Sequence, residues 1–99
     1  MWFVTTLGPI DEEWGPKYSR CVGYFETYSE ALECVQKNSL DIAENGYYPY
    51  AVVERIRPGL YPDAVAFFFE YLEKINAYVP ISFEKLPEVM HRVTSFSIG

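Results

Sequence analysis

The stretch from Gly46 to Arg57, GYYPYAVVERIR, constrains the fold most, because it has a strand pattern directly after the most convincing helix of the chain. Aromatic and β-branched residues dominate it, and such residues favour strands. Pro49 stands near the start, where the missing backbone donor of proline is tolerated. A helix that leads into such a strand predicts a sheet with the helix packed on one face.

The helix before this strand has a clear start signal. Thr27-Tyr28-Ser29-Glu30 is a capping box, with Thr27 as N-cap and Glu30 three residues later. We predict a helix that runs to about Asn45 and ends with Gly46 as its C′ residue. Cys34 falls on the outer side and is expected to be an exposed thiol. The positions that share the inner face at 100° per residue are Tyr28, Leu32, Val35, Ser39, Ile42 and Ala43.

Further strands are indicated by alternating or β-branched segments. The predicted strands are 2–6, 20–26, 64–73, 77–81 and a last one over 94–98. Residues 10–19 are rich in charge and turn formers and predict a long loop between the first two strands. Residues 73–76 predict the turn of a hairpin. Residues 82–92 are ambiguous, and Pro87 can open a short helix through Met90.

These elements predict one α+β domain over residues 1–99: an antiparallel sheet of four to six strands with one main helix packed on one face. Alternation along the strand after the helix places Tyr48, Val52 and Ile56 toward that helix. The opposite side then needs a cover, which a loop, a second subunit or a ligand can supply. A homo-oligomer is expected from that open face. The residues assigned to the open side are Tyr47, Val53, Arg55 and Arg57.

Charge and hydropathy narrow the partner classes. The chain has 99 residues and a net charge of −6, which disfavours binding to the backbone of double-stranded nucleic acid. No apolar run approaches membrane-spanning length, so no membrane partner is expected. The start of the chain lacks the basic and apolar regions of a signal peptide. We therefore expect a cytoplasmic protein whose Cys21 and Cys34 are reduced.

Signals for catalysis are weak. His91 is the one histidine, and a lone histidine is more often structural than catalytic. The two cysteines are not in a CxxC pair, which makes a zinc site improbable. The scattered glycines form no phosphate-binding motif. We expect a non-enzymatic protein with no catalytic residues, no metal and no cofactor.

Two binding hypotheses stay open, and we place sequestration of a nucleotide-derived signal narrowly ahead of blocking a protein. In the first, aromatic rings stack on a small nucleotide-like ligand while arginines pair with its phosphate. In the second, the acidic first half of the chain, with Trp14 as an anchor, binds a basic protein surface. For each set of residues we favour a structural explanation, in which Trp14 is a lid folded onto the core and the tyrosines and arginines belong to an ordinary half-buried strand. The candidate ligand residues are Tyr47, Tyr50, Arg55, Arg57, Trp14, Arg20 and Arg92.

Four strings carry a resemblance over about two-thirds of the chain: WFVTT at 2–6, CVGYFET at 21–27, NGYYPYAVVE at 45–54 and PGLY at 58–61. With these the chain resembles small uncharacterised proteins of Gram-positive bacteria and their phages. The resemblance implies a short accessory protein, plausible as a phage-type counter-defence factor in the host cytoplasm. Such factors sequester a nucleotide-derived signal or block a host protein. The resemblance assigns no catalytic residue.

Overall fold

The computed structural model describes residues 1–56, 64–92 and 96, with only the backbone of Ala64 and Arg92. Five strands form one sheet in the order β2-β1-β3-β4-β5, and every neighbouring pair is antiparallel. One helix, α1, packs on the sheet, which confirms the predicted α+β fold. The elements are β1 Trp2–Asp11, β2 Gly15–Phe25, α1 Tyr28–Gln36, β3 Tyr50–Ile56, β4 Ala64–Leu72 and β5 Ala77–Ile81.

The start of α1 is as predicted, but its end is not. The N–H of Glu30 donates to Thr27 Oγ1 at 3.3 Å, and this hydroxyl donates to the Glu30 carboxylate at 2.9 Å. The helix ends at Gln36, well before Asn45. Asn38 takes a left-handed conformation with φ 47°, and its side-chain oxygen accepts the N–H of Ala43 at 3.0 Å. Asparagine ends helices this way, because its side chain offers the backbone a competing partner.

The first hairpin is tighter than predicted. β1 does not stop at Leu7–Pro9 but continues to Asp11, which pairs with Gly15 at the start of β2. The predicted loop over residues 10–19 is therefore wrong, and residues 12–14 alone form the turn. Gly15 has φ +92°, a conformation that a residue with a side chain rarely adopts. A register shift between Val4 and Thr5 places a bulge of β2 beside Gly23, and glycine within a strand is common at a bulge.

The helix-side face of the sheet holds the larger core. Ala51 and Val53 of β3 lie there with Val4 and Phe69, packed under Ala31, Val35 and neighbouring side chains of α1. The predicted inner face of β3 is therefore wrong by one residue. Ala51, Val52 and Val53 are all fully buried, and so is Glu54, so burial does not distinguish the two faces of β3 over these residues. Cys34, predicted to be exposed, is half-buried against this core, and burial raises the pKa of its thiol.

The opposite face of the sheet is covered by the C-terminal segment, which we define as residues 82–92. It contains the 3-10 helices Phe83–Lys85 and Glu88–Arg92, the second close to the short helix predicted after Pro87. Leu86, Val89 and Met90 pack on Leu7 and Val52, and Phe96 joins them. A loop, a second subunit or a ligand was expected to cover the sheet face opposite the helix, and a segment of the chain itself covers it.

The remaining predictions for the second half have mixed outcomes. The hairpin of β4 and β5 is confirmed, with a 3-10 turn over Glu73–Ile75 between its strands. The strand after the helix begins at Tyr50, so Tyr47 and Pro49 precede it. The predicted last strand over 94–98 lies outside the described residues, apart from Phe96, which is not in a strand.

Candidate functional site

Five of the seven residues predicted to bind a ligand have described side chains, and these five do not form one site. Trp14 lies at the tip of the first hairpin, and Tyr50 and Arg55 belong to the same strand but to opposite faces of the sheet. Arg57 and the side chain of Arg92 lie outside the described residues. Tyr47 and Arg20 are the two that the structure places in one neighbourhood.

Tyr47 and Arg20 are already engaged by other side chains. Tyr47 lies against Tyr18 with ring centroids 6.3 Å apart and meets Tyr48 edge-on at 5.1 Å. Arg20 forms an exposed ion pair with Glu44. A phosphate at this place would have to displace the Glu44 carboxylate, and the neighbouring acidic charge opposes an anion.

Tyr50 is half-buried on the other face, where it packs with the C-terminal segment's core. Burial raises the pKa of its hydroxyl, and the nearby Glu70 carboxylate adds to the effect. Tyr50 therefore serves mainly as sheet packing, in line with the structural alternative for this residue.

The hairpin tip presents Trp14 to solvent. Its side chain is 81% exposed, so the predicted lid over the core is wrong. The Asp11 carboxylate fixes the tip, because its Oδ1 accepts the N–H of Glu13 at 2.8 Å and that of Trp14 at 2.9 Å. These two bonds hold the pKa of Asp11 below its ordinary value of 3.8. The indole thus stands on an ordered, acidic turn.

An open groove runs beside this tip, between the hairpin and the C-terminal segment. Two adjoining parts of it have volumes of about 450 and 410 Å³. Glu12 forms one wall and Glu88 the other, and Val89 contributes the apolar floor. The groove carries carboxylates on both sides, which suits a basic or neutral group and opposes a phosphate.

His91 also lines this groove, in a structural setting. Its Nε2–H donates to the Phe83 carbonyl at 2.8 Å, and its ring lies on the Phe83 ring with centroids 4.4 Å apart. These contacts join the two 3-10 helices of the C-terminal segment.

Arg55 is the predicted residue with the most unusual surroundings. Its guanidinium carbon lies 5.9 Å from the centroid of the Trp2 ring. Its Nε is buried and has no hydrogen-bond partner within the described part of the chain. Among the described residues, the guanidinium forms no ion pair. An unpaired buried donor lowers the stability of a folded protein by about 1–3 kcal/mol, so such a donor needs a physical explanation.

Three aromatic residues around Arg55 were missed by the sequence reasoning. Trp2, Tyr28 and Phe67 form a cluster with ring centroids 5.0 to 6.3 Å apart. They come from β1, the start of α1 and β4, so only the strand register brings them together: Trp2 pairs with Arg55, and Phe67 with Val53. No local sequence pattern signals such a cluster.

Comparison with known proteins gives no relative: no family model, no curated protein and no solved structure matches the chain. Across the described part of the chain, no helix is long and apolar enough to cross a membrane. Within the same residues, no group of three His, Cys, Asp or Glu side chains is placed to hold a metal ion.

Proposed function

We propose that the protein is a non-enzymatic binding module that blocks another protein through its acidic hairpin tip. The observation that carries this proposal is the exposed Trp14 indole on a turn held by Asp11. Tryptophan is enriched at interface hot spots, because it buries a large area at a small cost in conformational entropy. An ordered tip keeps that cost low.

Charge defines the partner. Asp11, Glu12 and Glu13 flank the indole, and Glu88 continues the acidic surface across the groove. We infer that the partner offers an apolar pocket for Trp14 within a basic rim. Complementary charge of this kind speeds association and excludes acidic competitors. The resemblance to phage proteins makes a counter-defence factor that acts on a host protein in the host cytoplasm the fitting biological role.

At the hairpin end, a protein partner fits the surface better than a nucleotide does. The predicted ligand residues are dispersed, and the groove beside Trp14 has acidic walls. A nucleotide phosphate is repelled there, whereas a lysine or arginine of a protein partner is attracted.

The test is capture of host proteins from a Gram-positive lysate by the immobilised protein, with identification by mass spectrometry and measurement of affinity for the captured partner. Trp14→Ala is expected to weaken binding by about tenfold or more, as loss of a hot-spot side chain does. Glu12→Gln with Glu13→Gln is expected to slow association and to reduce its dependence on salt.

The matched control is Tyr24→Ala, because Tyr24 is also an exposed aromatic residue of β2 but lies away from the tip, against Phe3. It is expected to bind the partner as the unmodified chain does. Equal affinity of the Trp14→Ala and Tyr24→Ala proteins would contradict the proposed role of the tip.

A further inference from the structure

We propose that Arg55 and the aromatic residues beside it form a second binding site, for a planar anion of the nucleotide class. The site lies on the helix-side face of the sheet and shares no residue with the hairpin tip. The proposal therefore does not depend on the protein-blocking function. It places the nucleotide hypothesis on Trp2, Arg55 and Phe67, two of which the sequence reasoning had not considered.

The first argument is the free cation. In a chain of net charge −6, an arginine would be expected to pair with one of the many carboxylates. Arg20 does so, with Glu44. Arg55 forms no ion pair among the described residues, and its buried Nε has no acceptor. A guanidinium without a carboxylate partner among the described residues can take an anion, and phosphate matches its planar fork.

The second argument is the aromatic surface next to the cation. The Trp2 ring lies under the guanidinium, and Phe67 lies 6.3 Å from Trp2 between ring centroids. Phe67 is 42% exposed, and Val65 on the same strand is 39% exposed. Their side of the sheet is therefore open to solvent at this end. A flat base can stack on such a surface while its phosphate reaches the guanidinium.

Preorganisation is the third argument. Tyr28 contacts both Trp2 and Phe67, with ring centroids 5.0 Å apart in each case. The three rings fix one another, and Trp2 in turn positions Arg55. A ligand would meet a site that is already arranged, which reduces the entropy lost on binding.

The experiment follows the two indole N–H signals by NMR. The protein is titrated with AMP and with a cyclic dinucleotide, and separately with adenosine and with inorganic phosphate. A saturable shift of the Trp2 signal is expected with the nucleotides, while the Trp14 signal at the hairpin tip stays in place. Adenosine and phosphate are each expected to bind at least about tenfold more weakly than the nucleotides, because each makes only half of the contacts.

Variants test the two halves of the site. Arg55→Gln is expected to weaken nucleotide binding by about tenfold or more, and Arg55→Lys by less, because lysine keeps the charge and loses the fork. Phe67→Leu is expected to weaken nucleotide and adenosine binding and to leave phosphate binding unchanged. Arg20→Gln is the matched control, because Arg20 is an exposed arginine engaged by Glu44. Thermal melting confirms that each variant is folded, and Phe67→Leu with Arg55→Lys carries the test if Arg55→Gln does not fold.

The proposal is overturned by the absence of a saturable Trp2 shift with either nucleotide. It is also overturned if Arg55→Gln binds as tightly as the unmodified chain, or if Arg20→Gln loses as much affinity as Arg55→Gln. Phosphate that binds as tightly as AMP would refute the planar part of the ligand. None of these results bears on capture of a protein by Trp14, so the two proposals fail separately.

Discussion

Gly8 shows how one residue decides the path of a strand. A leucine-glycine-proline sequence suggests the end of β1, yet the strand passes through it. A Cβ atom at Gly8 would lie 2.6 Å from the Tyr47 carbonyl oxygen and 2.7 Å from Pro49 Cδ. Glycine is needed here because the chain that leads into β3 crosses directly over β1. The glycine marks a close approach of two backbone segments and not a turn.

Gly8→Ala is therefore expected to destabilise the protein by about 1–3 kcal/mol, as overpacking does at a site that cannot move. Gly23→Ala is the control. A Cβ there would first meet the Phe25 ring at 3.5 Å, an ordinary contact. Urea unfolding followed by circular dichroism measures both. Equal unfolding midpoints for the two variants would show that the backbone passing over Gly8 can move to accommodate a Cβ atom.

Asp11 gives the hairpin tip a pH dependence of known sign. Its pKa lies below 3.8 because the N–H groups of Trp14 and Glu13 stabilise the carboxylate. The stabilisation is fully present above the unfolded pKa and is lost as the pH falls through the lower, folded value. The amide signals of Glu13 and Trp14 are expected to titrate together with a midpoint below 3.8.

The matched variant for this prediction is Asp11→Asn, which keeps an acceptor oxygen and removes the titrating charge. Its Glu13 and Trp14 amides are expected to lose that titration. A titration midpoint at or above the ordinary pKa in the unmodified chain would contradict the hydrogen bonds that Asp11 accepts from Glu13 and Trp14.

At the scale of elements, local signals predicted beginnings better than ends. The start of α1 is signalled by residues close in sequence: the Glu30 N–H donates to the Thr27 hydroxyl, and that hydroxyl donates to the Glu30 carboxylate. The helix end depends on Asn38, whose side-chain amide also donates to Asn76 at 3.2 Å, in the turn before β5. Asn76 is distant in sequence from Asn38. The helical periodicity, which continues past Asn38, therefore does not indicate that the helix ends there.

Thr27→Ala is expected to cost about 1 kcal/mol of stability, because the N–H of Glu30 loses its acceptor. Thr27→Ser retains the hydroxyl and is expected to unfold near the midpoint of the unmodified chain. Urea denaturation provides the comparison. An alanine variant as stable as the serine variant would mean that solvent caps the helix equally well.

At the scale of the whole molecule, the centre of the sheet is buried on both faces, and the helix-side face is open at the end where Val65 and Phe67 lie. α1 covers one face, and the C-terminal segment covers the other through Leu86, Val89 and Met90. The expected homo-oligomer was inferred from an uncovered face, and that argument no longer applies. The oligomeric state stays a prediction without that support.

Met90 is fully buried in this cover. Met90→Ala is expected to destabilise the protein by about 2–5 kcal/mol, through lost burial and a residual cavity. Ile75→Ala is the control for loss of apolar volume, because Ile75 is exposed and surface changes stay within about 0.5 kcal/mol. Calorimetry or urea unfolding measures the difference. Similar stability of the two variants would mean that the C-terminal segment adds little to the fold.

The sequence suggests single residues of the two candidate sites, but it does not show their exposure or their neighbours. Trp14 among three acidic residues is visible as a candidate anchor, and its exposure followed only from the tight turn at Asp11. Arg55 is visible as a candidate cation, but its aromatic neighbours come from three separate elements. Pairing across strands is a long-range property, and residue patterns within one strand do not contain it.

The sequence by itself determined the fold class, the start of α1, the hairpin of β4 and β5 and the acidic character of the first half. These depend on local propensity, capping and charge, which neighbouring residues carry. The tertiary structure decided which face of β3 meets α1, what covers the other face and which side chains surround Arg55. Alternation along β3 places its residues on two faces, but Val52 on one face and Ala51 and Val53 on the other are all apolar and buried. Only the packing of distant elements can tell them apart.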